Sequence, residues 1–154
     1  MTPLANAYLT EEETQLKEPV YPLKAYICSE CLLVQSPSLH QPDEIFSEYA
    51  YFSSYSSSWL EHARTYAEMV IERFQLTSQS QVVEIGSNDG YLLQFFQQRN
   101  IPVLGIEPAK NVAQIATDKG ISTVTEFFGT SLVKNGSFQA DLLIANNVLA
   151  HVPN

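Results

Sequence analysis

Residues 82–90 have the sequence VVEIGSNDG, an apolar run that leads into a polar turn with two glycines. The run Val82–Ile85 predicts a buried strand, and Gly86 and Gly90 allow a tight turn after it. A helix is predicted next over residues 89–98, with its apolar side chains facing inward. A strand, a glycine turn and a helix in this order are typical of sheets that bind nucleotides at their strand ends.

The same alternation of strands and helices continues beyond this stretch. Further strands are predicted at 103–106, 122–125 and 141–145, and helices at 108–119 and 127–133. Such alternation predicts a parallel sheet with right-handed crossovers, so we expect an α/β fold with a partial doubly wound, Rossmann-like sheet. The fourth strand would lie in the middle of a complete sheet. We therefore expect the functional molecule to need a missing C-terminal portion or an oligomeric partner.

The sequence before residue 77 is organised differently. Apolar residues recur every three or four positions from Trp59 to Phe74, which predicts an amphipathic helical cover, with Ser58 and Glu61 forming a capping box at its start. Residues 1–58 are rich in Pro, Tyr and Ser. The predicted domains are residues 1–58 as an N-terminal segment, 59–76 as a linking helix, and 77–154 as the N-terminal part of the sheet domain.

Composition narrows the class of function. The 154 residues carry a formal net charge of −9, and the eight Lys and Arg are scattered, which argues against nucleic-acid or anionic-lipid partners. No apolar run approaches the roughly 20 residues of a membrane span, and the N-terminus lacks a signal-peptide pattern. We expect a cytoplasmic protein that binds a small molecule.

The turn after the first strand predicts a site for S-adenosylmethionine. Glu107 follows Gly86 by about 20 residues in the sequence. This spacing is typical of an acid at the end of the second strand that accepts hydrogen bonds from the ribose hydroxyls. Phe127 and the pair Asn146 and Asn147 follow the third and fourth strands and would wall the site. A dinucleotide site is a poor fit, because the turn lacks a Gly-x-Gly-x-x-Gly pattern. Alternatively, the glycines serve only the turn itself.

Six blocks carry a family resemblance that covers essentially the whole chain. They occur in order at residues 3–9, 28–35, 51–56, 84–90, 105–108 and 146–152. Together they resemble the sugar C-methyltransferase family, which methylates C3 of nucleotide-linked 4-keto-6-deoxy sugars. The resemblance implies an N-terminal zinc-binding domain, a central cofactor domain and a C-terminal catalytic domain that would lie beyond residue 154.

The resemblance and the strand ends together give a set of candidate site residues. The predicted cofactor-binding residues are Glu84, Gly86, Ser87, Asn88, Asp89, Gly90, Glu107, Pro108, Phe127, Asn146 and Asn147. The resemblance implies that His151, Tyr51 and Tyr55 border the sugar pocket as the catalytic side, while the family's general base lies outside the chain. Two alternatives stay open: a non-catalytic remnant or subunit of a split enzyme, and an O- or N-methyltransferase of another small molecule.

Cys28 and Cys31 form a single Cys-x-x-Cys pair. Family members carry two such pairs, so these thiols would be half of a four-thiolate, zinc-ribbon-like site. The alternatives are that the pair binds no metal, that it combines with another chain's cysteines, that it binds zinc only in a longer parent protein, or that it serves redox chemistry. The redox reading is weakened by the residues that follow, because Leu32, Leu33 and Val34 favour a strand over a helix.

Overall fold

The computed structural model describes residues 1–4, 7–37, 45–47, 49–136 and 139–152. The chain divides into two compact units, Met1–Glu44 and Ile45–Asn154. The domain boundary predicted at residue 58 falls inside the second unit. Each unit is described by itself below.

The first unit is built around a short antiparallel hairpin. Strands β1 (Tyr26–Ile27) and β2 (Val34–Gln35) pair with Tyr26 opposite Gln35, and a 3₁₀ helix spans Glu13–Gln15. β2 begins two residues later than predicted, because Leu32 has a φ of 61° and still belongs to the turn. None of the described residues of this unit is buried.

The second unit contains a parallel four-stranded sheet. Its strands are β3 (Val82–Ile85), β4 (Val103–Ile106), β5 (Thr123–Val124) and β6 (Leu142–Ile144), in the spatial order β5-β4-β3-β6. This arrangement confirms the predicted Rossmann-like α/β sheet. Because Ile85 pairs with Ile106, the residues that follow β3 and β4 leave the sheet side by side at its carboxyl edge.

Four helices accompany the sheet: α1 (Ser57–Phe74), α2 (Leu93–Gln97), α3 (Lys110–Asp118) and α4 (Thr130–Asn135). The core divides between two faces. Val82 packs with α1 and α2, whereas Val83 packs with Leu132 of α4. The alternation of side chains along β3 therefore supplies both halves of the core. Within the described ranges, no helix has the length and apolarity that a bilayer crossing requires.

The four predicted helix starts were displaced by two to four residues, and those placed at 108 and 127 lie at Lys110 and Thr130. The helix placed at residue 89 begins at Leu93, because Asn88 and Gly90 have φ of 49° and 76°, which a right-handed helix does not allow. Helix α1 is capped by Ser56, whose hydroxyl accepts a hydrogen bond from the Trp59 N–H at 3.3 Å. The capping box proposed at Ser58 is therefore replaced by a cap two residues earlier.

Candidate active site

The turn after β3 shapes the carboxyl edge of the sheet. Gly86 has a φ of 66°, in the left-handed region that favours glycine. Its N–H donates to the Ile106 carbonyl at 2.8 Å, which ties the turn to β4. A Cβ at Gly86 would lie 2.9 Å from Val148 Cγ2. Glycine is thus required both by the backbone conformation and by the close approach of Val148.

Glu107 directly follows β4 and is only 7% exposed. Each carboxylate oxygen accepts one backbone hydrogen bond at 2.9 Å: Oε1 from the Ala109 N–H and Oε2 from the Asn88 N–H. Burial raises the pKa of Glu107, and these two hydrogen bonds, from Ala109 and then Asn88, lower it in part. A carboxylate oxygen can accept more than one hydrogen bond, so both oxygens can still accept hydroxyl donors.

Glu107 and Gly86 border one cleft of about 250 Å³ at this edge of the sheet. Three aromatic or imidazole rings lie at one side of it, where the Phe46 centroid is 6.3 Å from that of Tyr49 and 6.1 Å from that of His151. The cleft is lined by Phe46, Tyr49, Ile85, Gly86, Asn88, Ile106, Glu107, Pro108, Ala109, Phe127, Phe128, Asn146, Asn147, Val148, His151 and Val152.

The cleft brings together many of the residues that the sequence had nominated. Those that line it are Gly86, Asn88, Glu107, Pro108, Phe127, Asn146, Asn147 and His151. Of the remaining candidates, Glu84, Ser87, Asp89, Gly90, Tyr51 and Tyr55 do not line it. The Tyr55 side chain is 95% exposed. Four of the others surround the turn from inside the fold, namely Glu84, Ser87, Asp89 and Gly90.

Asp89 is fully enclosed and is used for an internal contact. It accepts hydrogen bonds from the Ser54 N–H and hydroxyl, and its Oδ2 lies 3.2 Å from Lys119 Nζ. Gly90 is needed for packing, because a Cβ there would lie 2.3 Å from Ile121 Cδ1. The Ser87 hydroxyl is buried against Gly105 without a hydrogen-bond partner among the described residues.

Glu84 also points into the fold rather than into the cleft. It is 1% exposed, and its Oε2 has no hydrogen-bond partner in the described part of the chain. Burial raises the pKa of Glu84 well above its usual range, a hydrogen bond from the Tyr91 hydroxyl opposes this, and the charges of Glu107 and Asp89 add to it. The pKa of Tyr91 is raised by its own burial and by the charge of Glu84, while a hydrogen bond with Asn146 opposes the rise.

Sequence reasoning missed several lining residues. Phe46 was not singled out, and Tyr49 was grouped with aromatics of no assigned role, although the high density of aromatics before residue 58 was a usable signal. Val148 lies inside a block that carried the family resemblance, next to the nominated asparagines. Phe128 directly follows the nominated Phe127.

A second cavity of about 280 Å³ lies on the other side of the Asn146–Asn147 turn. Its wall includes Trp59, whose ring stacks on His62 with centroids 5.1 Å apart and on Tyr91 at 6.0 Å. His62 is exposed, and its ring is part of this stack.

In the first unit, Cys28 and Cys31 flank the hairpin turn. The Cys28 N–H donates to the Leu33 carbonyl and the Cys28 carbonyl accepts from the Leu32 N–H, both at 3.0 Å. Backbone N–H groups of Cys31 and then Glu30, followed by the Cys31 thiol, lower the pKa of the Cys28 thiol. Within the described residues, no group of three or more potential metal ligands comes together. A closed structural zinc site takes four ligands, so these two thiols alone do not complete one.

Known proteins match the chain in both units. Residues 1–46 match a family model described as "Putative zinc binding domain". The chain is 33% identical over 155 residues to C-methyltransferase NovU of Streptomyces niveus, in an alignment that covers 99% of this chain and 37% of NovU. The resemblance to C-methyltransferases is confirmed. The chain spans little more than a third of the length of this relative.

Solved structures resemble the chain more distantly. Magnesium protoporphyrin IX methyltransferase (ChlM) of Synechocystis PCC 6803 is 17% identical, covering 62% of this chain and 49% of its own, with a TM-score of 0.45. A "putative s-adenosyl-l-methionine-dependent methyltransferase" of Methanococcus maripaludis is 22% identical, covering 58% and 43% of the two chains, with a TM-score of 0.46. The assignment of the fold rests instead on the strand order and the parallel pairing given above.

Proposed function

We propose that this chain binds S-adenosylmethionine at the carboxyl edge of its sheet and takes part in methylating carbon on a nucleotide-linked keto-deoxy sugar. One observation carries the proposal: Glu107, almost fully buried, borders the cleft beside Gly86 with one backbone hydrogen bond on each oxygen. Burying a carboxylate is unfavourable unless its partners compensate. A ligand with paired hydroxyl groups supplies the partners that the cleft side of Glu107 lacks.

The other lining residues fit the remaining parts of an adenosyl ligand. Ile106, Phe127 and Phe128 offer an apolar wall for a planar base. The Gly86 turn carries no side chain of its own, and Val148 packs against it as part of the cleft wall. Asn146 and Asn147 supply polar groups at the exit of β6. Apolar walls with a few convergent polar groups are the usual composition of cofactor sites.

When bound, the cofactor supplies an electrophilic methyl group. Methylation of carbon beside a ketone would require transfer of a proton from that carbon to a base, and the enolate carbon would then form the new C–CH3 bond as the S–CH3 bond breaks and S-adenosylhomocysteine leaves. The rings of Phe46, Tyr49 and His151 lie on the side of the cleft that we assign to the acceptor. We assign no residue of this chain as the base. The relative NovU is a C-methyltransferase, which supports carbon as the acceptor atom.

Calorimetric titration with S-adenosylhomocysteine tests the cofactor assignment directly. We expect saturable binding at one site per chain, and no binding for a Gly86→Val variant that circular dichroism shows to be folded. A folded wild-type chain that fails to bind at millimolar ligand would overturn the proposal.

Transfer of a labelled methyl group to carbon of a nucleotide-linked 4-keto-6-deoxy sugar, rather than to oxygen or nitrogen, tests the acceptor class.

For the first unit, we propose that Cys28 and Cys31 contribute two thiolates to a zinc site completed by the same two cysteines of a second copy of the chain. The hairpin geometry and the family match over residues 1–46 support this assignment. Competition with a chromophoric chelator should show zinc bound at one ion per two chains, and Cys28→Ser should abolish it. Zinc binding that survives Cys28→Ser would contradict the proposal.

A further inference from the structure

Two consecutive residues of the turn use their side chains to hold a segment far away in sequence. Asn88 Oδ1 accepts a hydrogen bond from the Ser53 N–H at 2.8 Å, and Asn88 Nδ2 donates to the Tyr51 carbonyl at 3.1 Å. Asp89 accepts from the N–H and the hydroxyl of Ser54. The turn thus holds the backbone of residues 51–54 at three successive points.

The same segment is held at its other end beside the cleft. The side-chain amide of Asn111, on α3, accepts from the Tyr49 N–H at 3.0 Å and donates to the Tyr49 carbonyl at 2.7 Å. The Tyr49 ring lines the cleft and lies 6.4 Å from the Tyr51 ring in an edge-to-face arrangement. Residues 49–55, called the aromatic segment below, therefore run from the cleft to the turn.

Asn88 makes contacts in both directions. Its backbone N–H donates to Glu107 Oε2 at 2.9 Å, while both polar atoms of its side chain are used by the aromatic segment. Each polar atom of the side-chain amide already has one partner in the aromatic segment, so Asn88 links that segment to Glu107 through its own backbone N–H. It is well suited to transmit the position of Glu107 to the aromatic segment.

We propose that Asn88 is a positioning residue that couples cofactor binding at Glu107 to ordering of the aromatic segment on the acceptor side of the cleft. This inference rests on the proposed cofactor site. A ligand held by Glu107 favours the turn conformation in which Glu107 accepts from the Asn88 N–H. The same conformation aims the Asn88 amide at residues 51 and 53, so that the two events stabilise one another.

The coupling is reciprocal by thermodynamic linkage. If cofactor orders the aromatic segment, then the ordered segment must strengthen cofactor binding by the same factor. An acceptor that contacts the ordered segment should therefore strengthen cofactor binding, and cofactor should strengthen acceptor binding.

The variant Asn88→Gly isolates the side-chain contacts. Asn88 has a φ of 49°, which glycine adopts without strain, so the backbone hydrogen bond to Glu107 is retained. Asn100 has a φ of 57° and is exposed at the end of α2, which makes Asn100→Gly a matched control. Asn88→Asp keeps the acceptor for the Ser53 N–H but loses the donor to Tyr51, and should rescue part of the coupling.

Amide hydrogen exchange of residues 53 and 54, with and without S-adenosylhomocysteine, is the decisive measurement. In the wild type and in Asn100→Gly, ligand should slow exchange roughly tenfold, the effect of one or two hydrogen bonds. In Asn88→Gly this ligand-dependent slowing should disappear, and the dissociation constant should rise by the same factor, about tenfold. A purely structural role for Asn88 would change exchange equally with and without ligand.

The outcomes separate this inference from the proposed function. Ligand binding without any slowing at residues 53 and 54 in the wild type overturns the coupling and leaves the cofactor site intact. Slowing that persists in Asn88→Gly also overturns it. Failure of the folded wild type to bind the ligand removes the cofactor site, and the coupling is then wrong as well.

Discussion

Glu84 and Glu107 are two buried carboxyl groups on neighbouring strands with different surroundings. Glu84 lies within β3, opposite Gly105 of β4, and points to Tyr91 inside the fold. Glu107 lies just past the end of β4 and borders the cleft. Both are almost inaccessible, with exposed fractions of 1% and 7%. Burial alone therefore does not distinguish a structural carboxyl from a binding carboxyl.

The difference lies in the partners of the carboxylate oxygens. Glu107 receives one backbone N–H on each oxygen, which favours its charged form, whereas Oε2 of Glu84 has no partner among the described residues. The pKa of both groups is raised by burial, but only for Glu107 do two backbone hydrogen bonds oppose the rise. Two backbone N–H groups favour the charged carboxylate of Glu107, which can bind hydroxyl groups. Burial without such partners favours the neutral carboxyl of Glu84.

The largest expected effect follows from replacing the binding carboxyl. Glu107→Ala should weaken binding of S-adenosylhomocysteine by about 1.5–3 kcal/mol for each hydrogen bond lost, or at least tenfold in Kd. Glu84→Gln should leave Kd within about threefold of wild type, because Glu84 does not line the cleft. Calorimetric titration of both variants provides the test. Equal losses in the two variants would remove the distinction between the two carboxyl groups.

The sequence was sufficient to place Glu107 near the turn, but it did not predict which residues Asn88 and Asp89 contact. Parallel pairing puts the ends of β3 and β4 at one edge, so the spacing from Gly86 to Glu107 could be converted into proximity. Asn88 and Asp89 instead contact residues 35 positions upstream. No sequence periodicity connects positions this far apart. The sequence therefore did not predict these contacts.

The fold was predictable to a similar extent. Strands were located correctly because apolar runs bounded by turn residues mark them well. The start of α2 was misplaced because asparagine and glycine within residues 88–92 adopt left-handed conformations that a sequence permits without requiring. Side chains without local pattern, such as Phe46 and Tyr49, reach the cleft only through tertiary contacts like the two hydrogen bonds between Tyr49 and Asn111.

The second expected effect concerns stability and its dependence on pH. The fold raises the pKa of Glu84, so it favours the neutral form. The stability that Glu84 contributes is complete below its unfolded pKa and is lost as pH rises through its folded pKa. Glu84→Gln should therefore match wild type at acidic pH and exceed it in free energy of unfolding at pH 8 by about 1–3 kcal/mol.

Urea unfolding at several pH values checks this prediction. The pKa of Glu107 is also raised, but Glu107 is present in both proteins, so it enters the difference between them only through the effect of its charge on the pKa of Glu84. A stability difference that stays constant with pH would show that Glu84 does not titrate as its surroundings indicate.

A third, smaller effect on the free energy of unfolding is expected at Asp89, the buried carboxylate of the turn after β3. Lys119→Met removes the ammonium group 3.2 Å from Asp89 Oδ2. Loss of one partner of a fully buried pair is strongly destabilising, but the Lys119 side chain is 36% exposed and Ser54 still donates to Asp89. We expect a loss of about 1–2 kcal/mol in free energy of unfolding. Lys134→Met, at an exposed position of α4, is the matched control and should be nearly neutral.

The smallest effect is expected for charges that water already solvates. Arg64 on α1 contacts Glu61 at 2.5 Å and Glu68 at 2.7 Å, and all three side chains are 42% exposed or more. Because solvent screens such pairs, Arg64→Gln should lower the free energy of unfolding by only about 0.5 kcal/mol. The loss should shrink further in 1 M salt, whereas the pH-dependent effect of Glu84→Gln should not. Arg64→Gln and Lys119→Met could instead cost the same free energy of unfolding. Solvent exposure would then fail to explain how the ion pairs of this chain differ in strength.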